Sequence, residues 1–241
     1  MKILAVDTAT EACSAALYIN GDIQERFEIA PREHTRLLLP MVDSLMAEAG
    51  IRPQQLDAIA FGCGPGSFTG VRIAAGVMQG IAYGADLPVV PVSTLAAISQ
   101  SCLQKTAHDT IFTAVDARMN EIYWAVYQRD AEGYAQLLSQ EKVQPATEVD
   151  AIQLTGFGIG SGWQRYEQEL TDRLSGQLVG FDANYLPHSG QIALLGAAGV
   201  QRGQTVPVEL ALPVYLRDKV AKTTAEREAN RTCSSKLNSS K

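Results

Sequence analysis

The chain has 241 residues, 46% of them hydrophobic, with a formal net charge of −6 and a pI of about 5.1. This is enough apolar matter for a sizeable core in one or two domains, and the acidic balance excludes a general attraction for a phosphate backbone. No run of about 18 apolar residues occurs, which excludes a membrane-spanning helix.

Ile3–Asp7 reads as a buried strand, so no apolar leader stretch opens the sequence. The cysteines Cys13, Cys63, Cys102 and Cys233 form no C-x-x-C pair. Together these features predict reduced thiols in a cytoplasmic protein. Cys13–Ile19 follows as a second strand, and Asn20-Gly21 is a two-residue hairpin signal that returns the chain along Asp22–Ala30. Over Thr35–Ala49, Leu38, Met41, Val42, Leu45, Met46 and Ala49 recur at helical spacing, with Gly50 as a stop. Pro40 lacks an N–H, so either the regular helix begins near Leu39 or it kinks there.

Ala58–Phe61 leads into a glycine-rich segment, Gly62-Cys63-Gly64-Pro65-Gly66-Ser67-Phe68-Thr69-Gly70-Val71-Arg72. Ser67 suits the N-cap of a helix running to about Gly84. Pro88–Val92 reads as a strand, and Ser93 or Thr94 caps a helix to about Gln104. Strands alternating with helices predict an α/β fold. The opening pattern then returns: Phe112-Thr113-Ala114-Val115-Asp116 repeats Ile3-Leu4-Ala5-Val6-Asp7, each followed by a polar turn and another strand. That context predicts a duplication, with domains over residues 1–103 and 104–217. Further on come a glycine turn over Gly156–Trp163 and helices over Gln164–Leu174 and Gln191–Val200, the last free to pack back on the first domain. Pro213–Arg217 closes the ordered part, and residues 218–241, rich in Lys, Thr, Ser and Asn, read as a mobile tail.

The glycine segment invites comparison with phosphate cradles. The P-loop pattern fails, because Thr69 stands at its second glycine and the lysine is absent. The dinucleotide pattern fits Gly62 and Gly64 but meets Ser67 in its third place. A tight turn that lets the helix pack on the sheet is the better reading of Gly62 and Gly66. Asp7, Thr8, Gly64, Ser67 and Thr69 remain as a weak candidate nucleotide contact. Asp7 and Asp116 could face each other across a cleft and hold magnesium, but each more simply ends a strand and caps its turn. His34, His108 and His188 fall in no H-x-x-x-H pair. Cys63 reads as an ordinary buried thiol. A stronger signal follows the turn: Gly76, Gly80 and Gly84 share one helix face. Each costs about 1 kcal/mol relative to alanine, so another helix is expected to approach there, either Thr35–Ala49 or one from another subunit.

Asp7-Thr8-Ala9-Thr10, Arg32-Glu33-His34-Thr35, the segment Gly62–Arg72, Val92-Ser93-Thr94-Leu95, Asp116-Ala117-Arg118, Gly160-Ser161-Gly162-Trp163 and Pro213-Val214-Tyr215-Leu216-Arg217 occur in that order. As a set they resemble the bacterial TsaB (YeaZ) family. The resemblance implies the duplicated actin-like, ribonuclease H-like ATPase fold. It also implies a role in forming N6-threonylcarbamoyladenosine in tRNA, beside the anticodon. It casts this chain as a non-catalytic subunit that binds the catalytic TsaD, acts with the ATPase TsaE, dimerises when alone and meets tRNA only indirectly. On that reading the interface lies on the first two helices, through Leu38, Met41, Val42, Leu45, Arg72, Ala75, Gly76, Gln79, Gly80 and Tyr83. No tightly bound cofactor or metal is implied, only weak ATP or ADP with magnesium at a partner interface. The sequence departs from the family at Cys63, where many members carry arginine. An active ATP-dependent phosphotransferase or a metallopeptidase of the same superfamily is the alternative.

Overall fold

The computed structural model describes residues 1–150 and 152–217. The tail assigned to residues 218–241, with Cys233, lies outside the described residues. Two mixed α/β halves follow one plan. In the first, β1 (Lys2–Asp7), β2 (Ala12–Ile19), β3 (Asp22–Ile29), β4 (Ala58–Gly64) and β5 (Val89–Ser93) form a sheet of order β3-β2-β1-β4-β5. Asn20 and Gly21 both take positive φ, 50° and 107°, as the tight β2–β3 hairpin requires.

The second sheet contains β6 (Thr110–Asp116), β7 (Ile122–Arg129), β8 (Ala135–Leu137), β9 (Lys142–Gln144), β10 (Gly156–Ile159) and β11 (Leu178–Asp182). Its order is β11-β10-β6-β7-β8, with β9 also on β7. β6 pairs antiparallel with β7 and parallel with β10, as β1 does with β2 and β4. The Ala-Val-Asp repeat therefore marks equivalent strands. Gly156–Ile159, expected as a turn, is itself a strand, because the second half repeats β4 at that point.

α1 (His34–Ala49) and α2 (Phe68–Ala85) cover one face of the first sheet. α1 begins at His34, so Pro40 sits inside the helix and not in its first turn. In the second half, α4 (Gly162–Arg165) and α5 (Glu167–Arg173) replace the single helix expected over Gln164–Leu174, broken at Tyr166.

The remaining helices are exchanged. α3 (Thr94–Lys105), capped by the Ser93 side chain at 3.1 Å from Leu95 N, sends Leu95, Ile98, Cys102 and Leu103 into the core of the second sheet. α6 (Ser189–Gln201) packs Ile192, Ala193 and Ala197 against Ile3, Ala5, Ala58 and Ala60 of the first. A division at residue 103 thus cuts through α3, which bridges the halves: its Ala97 packs with the first sheet while Leu95, Ile98, Cys102 and Leu103 reach the second.

Candidate functional site

β4 runs through Gly62 and Gly64, and the glycine turn follows it. The turn is packed against the polypeptide after β1. A β-carbon on Gly66 would lie 2.4 Å from the Ala9 carbonyl oxygen, and one on Gly70 would lie 2.0 Å from that of Thr8. Glycine is needed here so that two backbones can touch. Several polar groups of this seam are paired internally. Ser67 N–H donates to Ala9 O (2.7 Å), Thr8 Oγ1–H to Gly70 O (2.7 Å), Ala74 N–H to Thr8 Oγ1 (3.1 Å) and Gly70 N–H to Ser67 Oγ (3.4 Å).

This corrects part of the candidate nucleotide contact. Asp7, Thr8 and Gly64 are buried and engaged with the chain itself, because they form the packed seam between turn and sheet. Only Ser67 and Thr69 face outward. Asp7 and Asp116 do not confront each other. Asp7 is fully buried, with Oδ1 accepting from Ala9 N–H at 3.1 Å; Asp116 Oδ1 accepts from Arg118 N–H at 2.9 Å. Each caps the turn two residues on, as the duplication predicts. Burial raises the Asp7 carboxyl to about 7 and pushes the Cys63 thiol up to about 12.

The α2 stripe is open. A β-carbon on Gly76, Gly80 or Gly84 would meet nothing within 4 Å. α1 therefore does not approach along that face, and the internal alternative falls. Arg72, Gly76, Gly80 and Tyr83 are exposed, Tyr83 at 76%. Gln79 is half-buried and donates from Nε2 to Ala211 O at 3.1 Å. Leu38, Val42, Leu45 and Ala75, also assigned to the interface, are buried in the protein's own core, with Met41 packed at its margin. Their periodicity marks the face of α1 and α2 that covers the first sheet.

A cleft of about 800 Å³ opens between the halves. The turn after β1, the start of α2, the β6–β7 turn and the segment 214–217 line it. That last segment straps the halves together. Val214 N–H donates to Cys63 O (2.7 Å), Tyr215 OH accepts from Arg72 Nε (2.8 Å), and Arg217 donates to Ala117 O (3.1 Å) and pairs with Glu121. The Arg72 guanidinium also lies 3.5 Å over the Phe68 ring.

The profile of the TsaD family, tRNA N6-adenosine threonylcarbamoyltransferase, matches residues 27–225. The tRNA threonylcarbamoyladenosine biosynthesis protein TsaB of Escherichia coli (strain K12) is 41% identical over 92% of this chain and 96% of its own length. This chain belongs to the TsaB (YeaZ) family. TsaB of Haemophilus influenzae is 37% identical over 91% of this chain and 95% of its own. The solved structure of YeaZ from Pseudomonas aeruginosa is 43% identical, with a TM-score of 0.83 over 89% of this chain and 99% of that one.

Within this TsaB-family fold, the three histidines lie apart. His34 borders the cleft, His108 stacks on Phe157, and His188 stacks on Phe27 while bonding Glu25. Two features of the site escaped the sequence. The strap beside α2 carries exposed Leu212, Val214 and Tyr215, and the β6–β7 turn holds Arg118, Met119 and Asn120 all at positive φ. The Pro213–Arg217 motif was the available signal for the first. Three ordinary residues in a left-handed turn leave no sequence signature.

Proposed function

We propose that this chain is a non-catalytic subunit required for threonylcarbamoyl transfer to N6 of the adenosine beside the anticodon of tRNA. It docks on a TsaD-like catalytic subunit and acts with a TsaE-like ATPase in the cytoplasm. The observation that carries the docking is the open glycine stripe on α2: a β-carbon on Gly76, Gly80 or Gly84 would meet nothing, so the protein's own packing does not call for these glycines, which weaken the isolated helix, and an approaching helix accounts for them. Arg72, Gly76, Gln79, Gly80 and Tyr83 form this face, and in the absence of the partner it pairs two copies of the chain.

The tRNA chemistry is left to the partner, in keeping with the net charge of −6. No tightly bound cofactor is needed, and the weak ATP or ADP contact with magnesium belongs at the partner interface, since the Ser67 and Gly70 N–H groups of the glycine turn are taken by Ala9 O and Ser67 Oγ. Reconstitution of threonylcarbamoyl transfer to tRNA with and without this chain tests the reading. Loss of product on omission is expected; undiminished product would refute it.

A further inference from the structure

We infer that two copies of this chain pair through antiparallel α2 helices, held in register by a reciprocal ion pair between Arg72 of each copy and Asp86 of the other. The inference rests on the reading of α2 as a docking face and commits that face to one polarity and one charge pair. Both charged residues are exposed, Arg72 in the second turn of α2 and Asp86 at its C-cap. Neither makes an ion pair among the described residues. Each also stands at the unfavourable end of its own helix. A helix carries partial positive charge at its N-terminus and negative charge at its C-terminus, which disfavours an early cation and a late anion. α2 has no acidic residue in its first turn and no basic residue in its last to offset this. An antiparallel neighbour reverses the sense. Arg72 then lies beside the negative end of the second α2, and Asp86 beside its positive end.

The side chains are prepared for the contact. Arg72 Nε donates to Tyr215 OH at 2.8 Å, and the guanidinium lies 3.5 Å over the Phe68 ring and 5.5 Å from the Tyr215 ring. Its Nη1 and Nη2 have no hydrogen-bond partner among the described residues. An arginine already held between two rings loses little freedom when it takes a carboxylate. The glycines set the register. With Gly76 of one copy opposite Gly80 of the other, no β-carbon keeps the helices apart, and they can approach to about 8 Å, the near end of helix spacings. In that register Gly70 stands level with Asp86 of the second copy. The Arg72 side chain leans back toward that level to reach the Phe68 ring. Tyr83, 76% exposed and three residues before Asp86, is covered by the same approach. A two-fold axis repeats every contact, so both members of the charge pair come from this one sequence. That self-complementarity is why the occupant is a second copy.

Analytical ultracentrifugation of the full chain is the test, with R72E, D86R, R72E/D86R and an equimolar mixture of the two single variants. Each single reversal sets like charges against each other at both ends of the pair and should weaken self-association about tenfold or more. The mixture should recover association, because R72E against D86R restores opposite signs at both ends. The double variant should recover it with the signs exchanged. Recovery on mixing requires both single variants to be folded, which separates a lost contact from a lost fold. A parent dimer indifferent to both reversals, or weakened variants that do not recover on mixing, would overturn the inference while leaving α2 as a docking face. A parent chain that stays monomeric would overturn it as well, and capture of a TsaD-like subunit then reports separately on the docking face itself.

Discussion

Gly62 and Asp7 sit so close across the paired strands β4 and β1 that a β-carbon on the glycine would lie 1.8 Å from Asp7 Oδ2. The carboxylate is fully buried, and that oxygen has no partner. Neither strand can shift without breaking the sheet, so Gly62→Ala should destabilise the fold by about 3 kcal/mol or more, at the upper end for an overpacked core. Thermal unfolding checks this; a melting point within a degree or two of the parent would show that the seam is soft.

Asp7 should also make stability depend on pH. Burial raises its carboxyl from 3.8 to about 7, outweighing the Ala9 N–H bond that lowers it. The folded chain thus holds the proton more tightly than the unfolded one. Below about pH 4 both states are protonated and nothing is lost. Between about pH 4 and pH 7 only the unfolded chain ionises, so stability falls by about 1.4 kcal/mol per unit. Above about pH 7 the loss is constant. Urea unfolding across that window should show the decline in the parent and a flatter profile in Asp7→Asn. Parallel profiles would assign the pH dependence elsewhere.

The glycine stripe predicts opposite effects of small and large substitutions. Since added β-carbons at Gly76 and Gly80 meet nothing, Gly76→Ala and Gly80→Ala should stabilise the isolated chain, each by up to about 1 kcal/mol. Gly76→Leu with Gly80→Leu should leave the melting point near that of the parent and, on the proposed docking, should abolish both capture of a TsaD-like partner and self-association. Light scattering and pull-down report the two; unchanged association in the leucine variant would remove α2 from the interface.

Arg217 is the last link of the strap. It bonds Ala117 O and Arg118 O and pairs with Glu121. Arg217→Ala should cost about 1 kcal/mol, because it strips a charged donor from the Ala117 carbonyl, whose bond is partly buried, and from Glu121, and should speed hydrogen exchange at the amides of Ala117 and Glu121. These two amides bond Glu121 O and Arg118 O across the strained turn. Unaltered exchange there would show that the turn holds its shape unaided.

The legible parts of this fold were those written in local signals. Asn20-Gly21 announced the hairpin, Ser67 and Ser93 announced two helix starts, and Asp7 and Asp116 announced equivalent strand ends through the same two-residue cap. The proposed interface was only half legible. Periodicity shows that Leu38, Val42 and Leu45 share a face of α1, but a face covered by the protein's own sheet and a face awaiting another subunit look alike in one dimension. The outward face of α2 was readable only because glycine in a helix interior is costly. The cleft was illegible, since Arg32, Arg118, Arg165 and Arg217 come from four separate stretches of chain and meet only after both halves have closed.

The exchange of α3 and α6 sets an order on biosynthesis. The first sheet is complete as a hydrogen-bonded ladder once β5 has been made, yet the face formed by Ile3, Ala5, Ala58 and Ala60 stays bare until α6 is made, about a hundred residues later. At about 5–20 residues per second, this leaves an apolar surface open for several seconds on the ribosome. A messenger truncated between the halves would yield a fragment whose own last helix, α3, has lost the sheet it was built to cover. Such a fragment would be expected to aggregate or be degraded, which ties correct folding of the N-terminal half to completion of translation.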